Sequence, residues 1–146
     1  MTEVGFYHLT RSTLAQTLSQ LLTRTLAAGQ RALVLGPSAA ALDALSTALW
    51  AQPAWLPHGT IADGDPDLQP IWLSTEAEPP NGARYLFLTE GAETGRFERY
   101  DRVFDMFDGN APDAVAAARS RWRAVQDAGH PKTYWQQTET GWQKNG

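Results

Sequence analysis

The chain has 146 residues, a formal net charge of −4 and no cysteine. That length fits one domain able to bury its own core, residues 1–146 together. Disulfides, thiolate chemistry and cysteine-based zinc sites are excluded. No apolar run approaches the roughly 18 residues that cross a bilayer. The start, MTEVGFYHLT, carries Glu3 and lacks the basic-then-apolar signal pattern, so a soluble, cytoplasmic protein with no membrane partner is expected.

In chain order, VGFYHL (4–9) is short, apolar and aromatic, and predicts a strand. Ser12 can cap the next segment, where Leu14, Leu18, Leu21, Leu22 and Leu26 recur at helical spacing until Gly29. RALVLG (31–36) has the unbroken apolar character of a buried strand. Gly36 and Pro37 then turn the chain, and Ser38 can cap a helix from Ala39 to Trp50 with Leu42, Leu45 and Leu49 on one stripe. Trp50 comes one residue, about 100°, past Leu49 and so can leave the core.

The segment LWAQPAWLPHG (49–59) holds two of the six tryptophans, Trp50 and Trp55, with Pro53 and Pro57 to stiffen it. Strands are expected at 71–74, 83–89 and 100–107, separated by turn-rich loops. Asp113 to Ala128 is a helix, preceded by Pro112 and ended by Gly129 and Pro131. The tail TYWQQTETGWQ alternates aromatic and polar residues, as a final strand or an extended arm would. The alternation of strand and helix predicts a single Rossmann-like α/β domain, a mostly parallel central sheet flanked by helices.

Charge is uneven. Acids concentrate between Asp43 and Asp113, whereas from Ala114 onward Arg119, Arg121, Arg123, Lys132 and Lys144 outnumber Asp127 and Glu139. A basic end on an acidic protein suits a local anionic partner better than bulk nucleic acid.

Little here carries catalysis. LVLGPSAA could cradle a phosphate at the Gly36–Ser38 turn, which makes a nucleotide- or phosphate-binding protein the alternative reading. It has one glycine where a dinucleotide fingerprint needs three, and no Lys-Ser/Thr pair, so an ordinary turn with Ser38 as cap is favoured. Asp105 and Asp108 close a strand in FDMFDGN, but three apart they point to opposite faces, and DGN favours a turn over a Mg²⁺ site. DGDPD (63–67) lacks the distal glutamate of a calcium loop. His8, His58 and His130 have no metal-ligand spacing, and no nucleophile elbow is present. No catalytic residue, cofactor or metal is expected.

The last helix says more. At about 100° per residue, Ala114, Ala118 and Val125 share the core side, with Trp122 at its edge. Val115, Arg119 and Arg123 continue around from it, and Arg121 falls on the other side. An apolar shelf bordered by two guanidiniums suits a short peptide with carboxylates and an apolar end. The same spacing also fits a solvated basic flank with Trp122 tucked into the core.

FYHL, the stretch LWAQPAWLPH, and the final helix with Arg119, Trp122, Arg123 and Ala128-Gly129 together resemble the chi subunit of bacterial DNA polymerase III holoenzyme. The resemblance runs from end to end, and LWAQPAWLPH is its most specific piece. It implies a non-catalytic accessory protein linking single-stranded DNA-binding protein to the clamp loader, touching DNA only indirectly. The acidic C-terminal tail of single-stranded DNA-binding protein, aspartates followed by Ile-Pro-Phe, would then bind Val115, Arg119, Trp122 and Arg123. The psi subunit, or another clamp-loader subunit, would bind Trp50, Pro53 and Trp55. The chain departs from the family pattern at Val115 and Gln126, where relatives carry basic residues, and in a shorter spacer between Pro53 and Trp55.

Overall fold

The computed structural model describes residues 2–54, 56–60, 63–76, 78–92 and 97–145. Among the described residues, seven strands and three α-helices follow one another, with two single-turn 3-10 helices in the loops: β1 (Glu3–Leu9), α1 (Leu14–Ala27), β2 (Ala32–Leu35), α2 (Ala39–Trp50), β3 (Ile71–Ser74), β4 (Tyr85–Thr89), β5 (Arg102–Asp108), α3 (Pro112–Asp127), β6 (Lys132–Thr138) and β7 (Gly141–Lys144). The strands form one seven-stranded sheet in the order β3-β2-β4-β5-β1-β6-β7. All pairings are parallel except β6 with β7. This is the Rossmann-like α/β arrangement that the strand–helix alternation predicts.

The sheet separates two cores. On one face, Leu18 and Leu22 of α1 and Leu42, Leu45 and Leu49 of α2 pack on Val34, Ile71, Phe87, Phe104 and Met106. On the other, Ala118 and Val125 of α3 pack with Val4, Phe6, Leu86, Val103 and Phe107. The interior strand β2 is buried at all four residues because both faces are covered. β1 is followed by a helix on one face and its neighbour β5 by a helix on the other. The C-terminal ends of these two strands are therefore the topological switch point, where open α/β sheets place their crevices.

Several expectations are revised. Of the two readings of the tail the strand holds, and it becomes two: an antiparallel hairpin, β6 and β7, finishes the sheet. Its register sends Trp135 and Trp142 to the α1 face, where both pack on the Tyr7 ring. Thr13, not Ser12, caps α1: its hydroxyl accepts from Gln16 N at 3.1 Å, and its own N–H donates to Gln16 Oε1 at 2.9 Å, a closed capping box. Ser12 is drawn away because its hydroxyl accepts from Gln137 Nε2 at 2.6 Å. Pro112 is the first residue of α3 itself, where a missing N–H costs no helical bond. Segment 56–59 is more than a loop. Gly59 donates to Ile71 O and accepts from Leu73 N, closing the open edge of β3. A Cβ there would sit 2.9 Å from the Gln69 side chain.

Candidate functional site

Alanine and arginine dominate α3, so it makes a stable helix with only a narrow apolar stripe. Ala118 and Val125 are buried as the spacing predicts. Val115 and Trp122 are half-buried against the same core, while Arg119 and Arg123 are exposed. Residues 115, 119 and 122 stand one above another on one flank, with Arg123 beside them.

Trp122 is held by aromatic edges on two sides. Its ring lies 5.2 Å from Phe6 of β1 and 5.8 Å from Tyr134 of β6, both edge-on. Tyr134 Oη lies 2.5 Å from His8 Nδ1. On Trp122's remaining face, Lys132 Nζ is 4.5 Å from the ring centroid. The indole is thus neither sunk in the core nor free on the surface; it is a half-buried platform held between Phe6, Tyr134 and Lys132. Among the described residues, no acid forms an ion pair with Arg119, Arg123 or Lys132. Burial pushes the Tyr134 hydroxyl pKa up, and the positive charge of Arg119 pulls it the other way.

Arg121 does something else. It turns inward, Nε donating to Asp105 Oδ2 at 2.6 Å and Nη2 to Oδ1 at 2.9 Å. Both side chains are nearly enclosed. Asp105 is therefore neither a turn residue nor half of a cation site; it anchors α3 to β5. Asp108 does close the turn, accepting from Asn110 N at 2.9 Å. Gly109 is required there because a Cβ would fall 1.9 Å from the His8 ring.

The second aromatic patch lies on the opposite face of the sheet. Trp50 ends α2 with half its surface exposed, 50%, and stacks on His58 at 4.1 Å. His58 is buried and fixed at both nitrogens, Nδ1 to Leu56 O at 2.8 Å and Nε2 to Ser46 Oγ at 3.0 Å. Pro53 is exposed beside it and borders a cleft against Gln16, Ser19, Gln20 and Arg24 of α1. Trp55 lies outside the described residues.

The Gly36–Ser38 turn offers little to a phosphate. Ser38 Oγ accepts from Ala41 N at 3.1 Å as the α2 cap, and a Cβ on Gly36 would lie 2.6 Å from Leu42 Cδ2. The glycine permits helix–strand packing rather than ligand approach. A cleft of about 580 Å³ does occupy the switch point, with an apolar floor including Leu9, Met106 and Phe107. Its rim carries Glu90, Asp108 and Asp113, which disfavour an anion. Among the described residues, no three His, Asp or Glu side chains are grouped to hold a metal ion.

The spacing of the last helix located Val115, Arg119, Trp122 and Arg123, and the fold brings them together. It did not reveal Lys132, Tyr134 or His8. The available signal was the alternation in KTYWQ, which puts Lys132 and Tyr134 on one face of β6.

Residues 1–133 match the family model "DNA polymerase III chi subunit, HolC". Over 109 residues the chain is 24% identical to a probable DNA polymerase III subunit chi of Rickettsia prowazekii. That match covers 71% of this chain and 66% of the relative, just under two thirds of the relative's length. The chain belongs to the DNA polymerase III chi subunit family.

Proposed function

We propose that this protein is a non-catalytic accessory subunit of the replisome that tethers single-stranded DNA-binding protein to the clamp loader. The acidic C-terminal tail of the former binds the α3 flank, at Val115, Arg119, Trp122 and Arg123. Psi, or another clamp-loader subunit in its place, binds the patch of Trp50, Pro53 and Trp55. The observation that carries this reading is the Trp122 platform. An indole held by Phe6 and Tyr134 beside guanidiniums that no described acid pairs offers an apolar seat and carboxylate receptors at a single place. The family membership supplies the setting. Two weak contacts on opposite faces of a rigid sheet raise the effective concentration of each partner near the other.

Titration with a labelled peptide ending in aspartates and Ile-Pro-Phe tests the tail site. Wild-type protein binds it; Arg119→Ala and Trp122→Ala each weaken binding by about tenfold, as loss of an anchor does. Equal binding by both variants and wild type would sink the assignment.

A further inference from the structure

The helix forms only half of the surface around Trp122. α3 packs over β5 and β1 and reaches β6 through Trp122, which meets Tyr134 and Lys132. The β1–β6 register aligns Val4 with Lys132, Phe6 with Tyr134 and His8 with Gln136. Val4 and Phe6 face α3, so Lys132, Tyr134 and Gln136 extend that face beside the helix as a shelf, half-buried at Lys132 and Tyr134 and exposed at Gln136. The shelf is rigid: Tyr134 is fixed to His8, and Asn145 Nδ2 donates to Gln136 Oε1 at 3.0 Å from the end of β7. The long cations lie on its two sides, Arg119 from the helix and Lys132 from the strand.

We propose that the acidic tail lies in the angle between α3 and β6, with Lys132 as a third cation that grips a peptide carboxylate above the Trp122 ring. This rests on the tail-binding reading of the α3 flank and adds a residue and a direction to it. A lysine over a partly exposed aromatic face is held only weakly. A charge-assisted bond to a carboxylate is short and directional, and it replaces that contact. The ammonium can therefore leave the indole for an arriving carboxylate, and the peptide's apolar end takes the vacated ring face. Position 115 of α3 is valine, so the helix offers no cation one turn before Arg119. The strand supplies the third charge instead. Cations beside aromatic rings also suit single-stranded nucleic acid. The chain's net charge of −4 favours the peptide, which needs only local positive charge rather than an extended basic track.

The test is a titration of full-length protein with the same acidic peptide at low and high salt, comparing wild type, Lys132→Gln, Lys132→Arg and Arg119→Ala. Lys132→Gln should weaken binding roughly three- to fivefold at low salt and flatten its salt dependence, whereas Lys132→Arg keeps both. Unchanged affinity and salt dependence in Lys132→Gln, with Arg119→Ala still weakened, would overturn the β6 contribution and leave the α3 reading intact. No effect from either variant would overturn both. A single-stranded oligonucleotide bound more tightly than the peptide, and weakened by Lys132→Gln, would overturn the choice of occupant.

Discussion

Asp105 stands alone as a charge in VFDMF, a strand otherwise built for burial. A carboxylate taken from water requires a partner, and the bidentate guanidinium of Arg121 answers it. Removing Asp105 takes the paired carboxylate from a nearly enclosed Arg121 guanidinium. Asp105→Ala should destabilise the fold by about 3–5 kcal/mol, while replacing the pair together with Leu and Met should cost far less. Chemical denaturation of the three proteins checks both values. A helical wheel could not find this pair, because it shows which way Arg121 points but not what the sheet holds beneath it. The lone acid inside an apolar strand was the legible clue. Tyr100 reports burial differently: loss of solvation, reinforced by Glu78 and opposed by Arg99, pushes its hydroxyl from an ordinary value of 10.0 to about 12. A raised folded-state pKa gives stability that is intact below the unfolded value and lost as pH rises through the folded one. Unfolding followed from pH 9 upward should show stability falling between about 10 and about 12, and Tyr100→Phe should flatten that fall.

The helices were the easiest elements to read, since leucine spacing sets the core stripe and Ser38, Gly29 and Gly129 mark ends that the fold keeps. The tail hairpin was harder, because what fixes it is distant in sequence. Gln137 Oε1 accepts from three successive backbone N–H groups, those of Thr10, Arg11 and Ser12, at 2.9–3.1 Å. Its Nε2 donates to Ser12 Oγ. One side chain on β6 thus closes the β1–α1 turn. Local patterns cannot report a bond between residues 137 and 10–12. Gln137→Ala should cost on the order of 2 kcal/mol, since the turn's N–H groups lose their partner. Hydrogen exchange should quicken at Thr10–Ser12 before it does in buried β2. Gln137→Glu keeps the acceptor and should restore most of the protection.

Across the whole molecule, the sheet holds the two aromatic patches apart on opposite faces, and their functions should separate accordingly. Immobilised wild-type protein should capture both single-stranded DNA-binding protein and clamp-loader subunits from extract. Trp50→Ala should lose the clamp-loader subunits alone, and Arg119→Ala the DNA-binding protein alone; joint loss from either would contradict two independent faces. Raised salt should weaken the α3 side more, because part of that contact is ionic. In the sequence, Trp50 leaves a helical stripe and Trp122 lies at the edge of one. The sequence left open whether Trp122 was core or surface, since that depends on Phe6 and Tyr134 from strands far away in the chain. The most direct measurement is amide chemical-shift mapping of the labelled protein with the acidic tail peptide. Perturbations should cluster on α3 from Val115 to Arg123 and on β6 at Lys132–Tyr134, with Trp50 and the switch-point cleft unmoved. Perturbations centred on Trp50–His58 or on the cleft, or none at all, would contradict the assignment of the tail to this face.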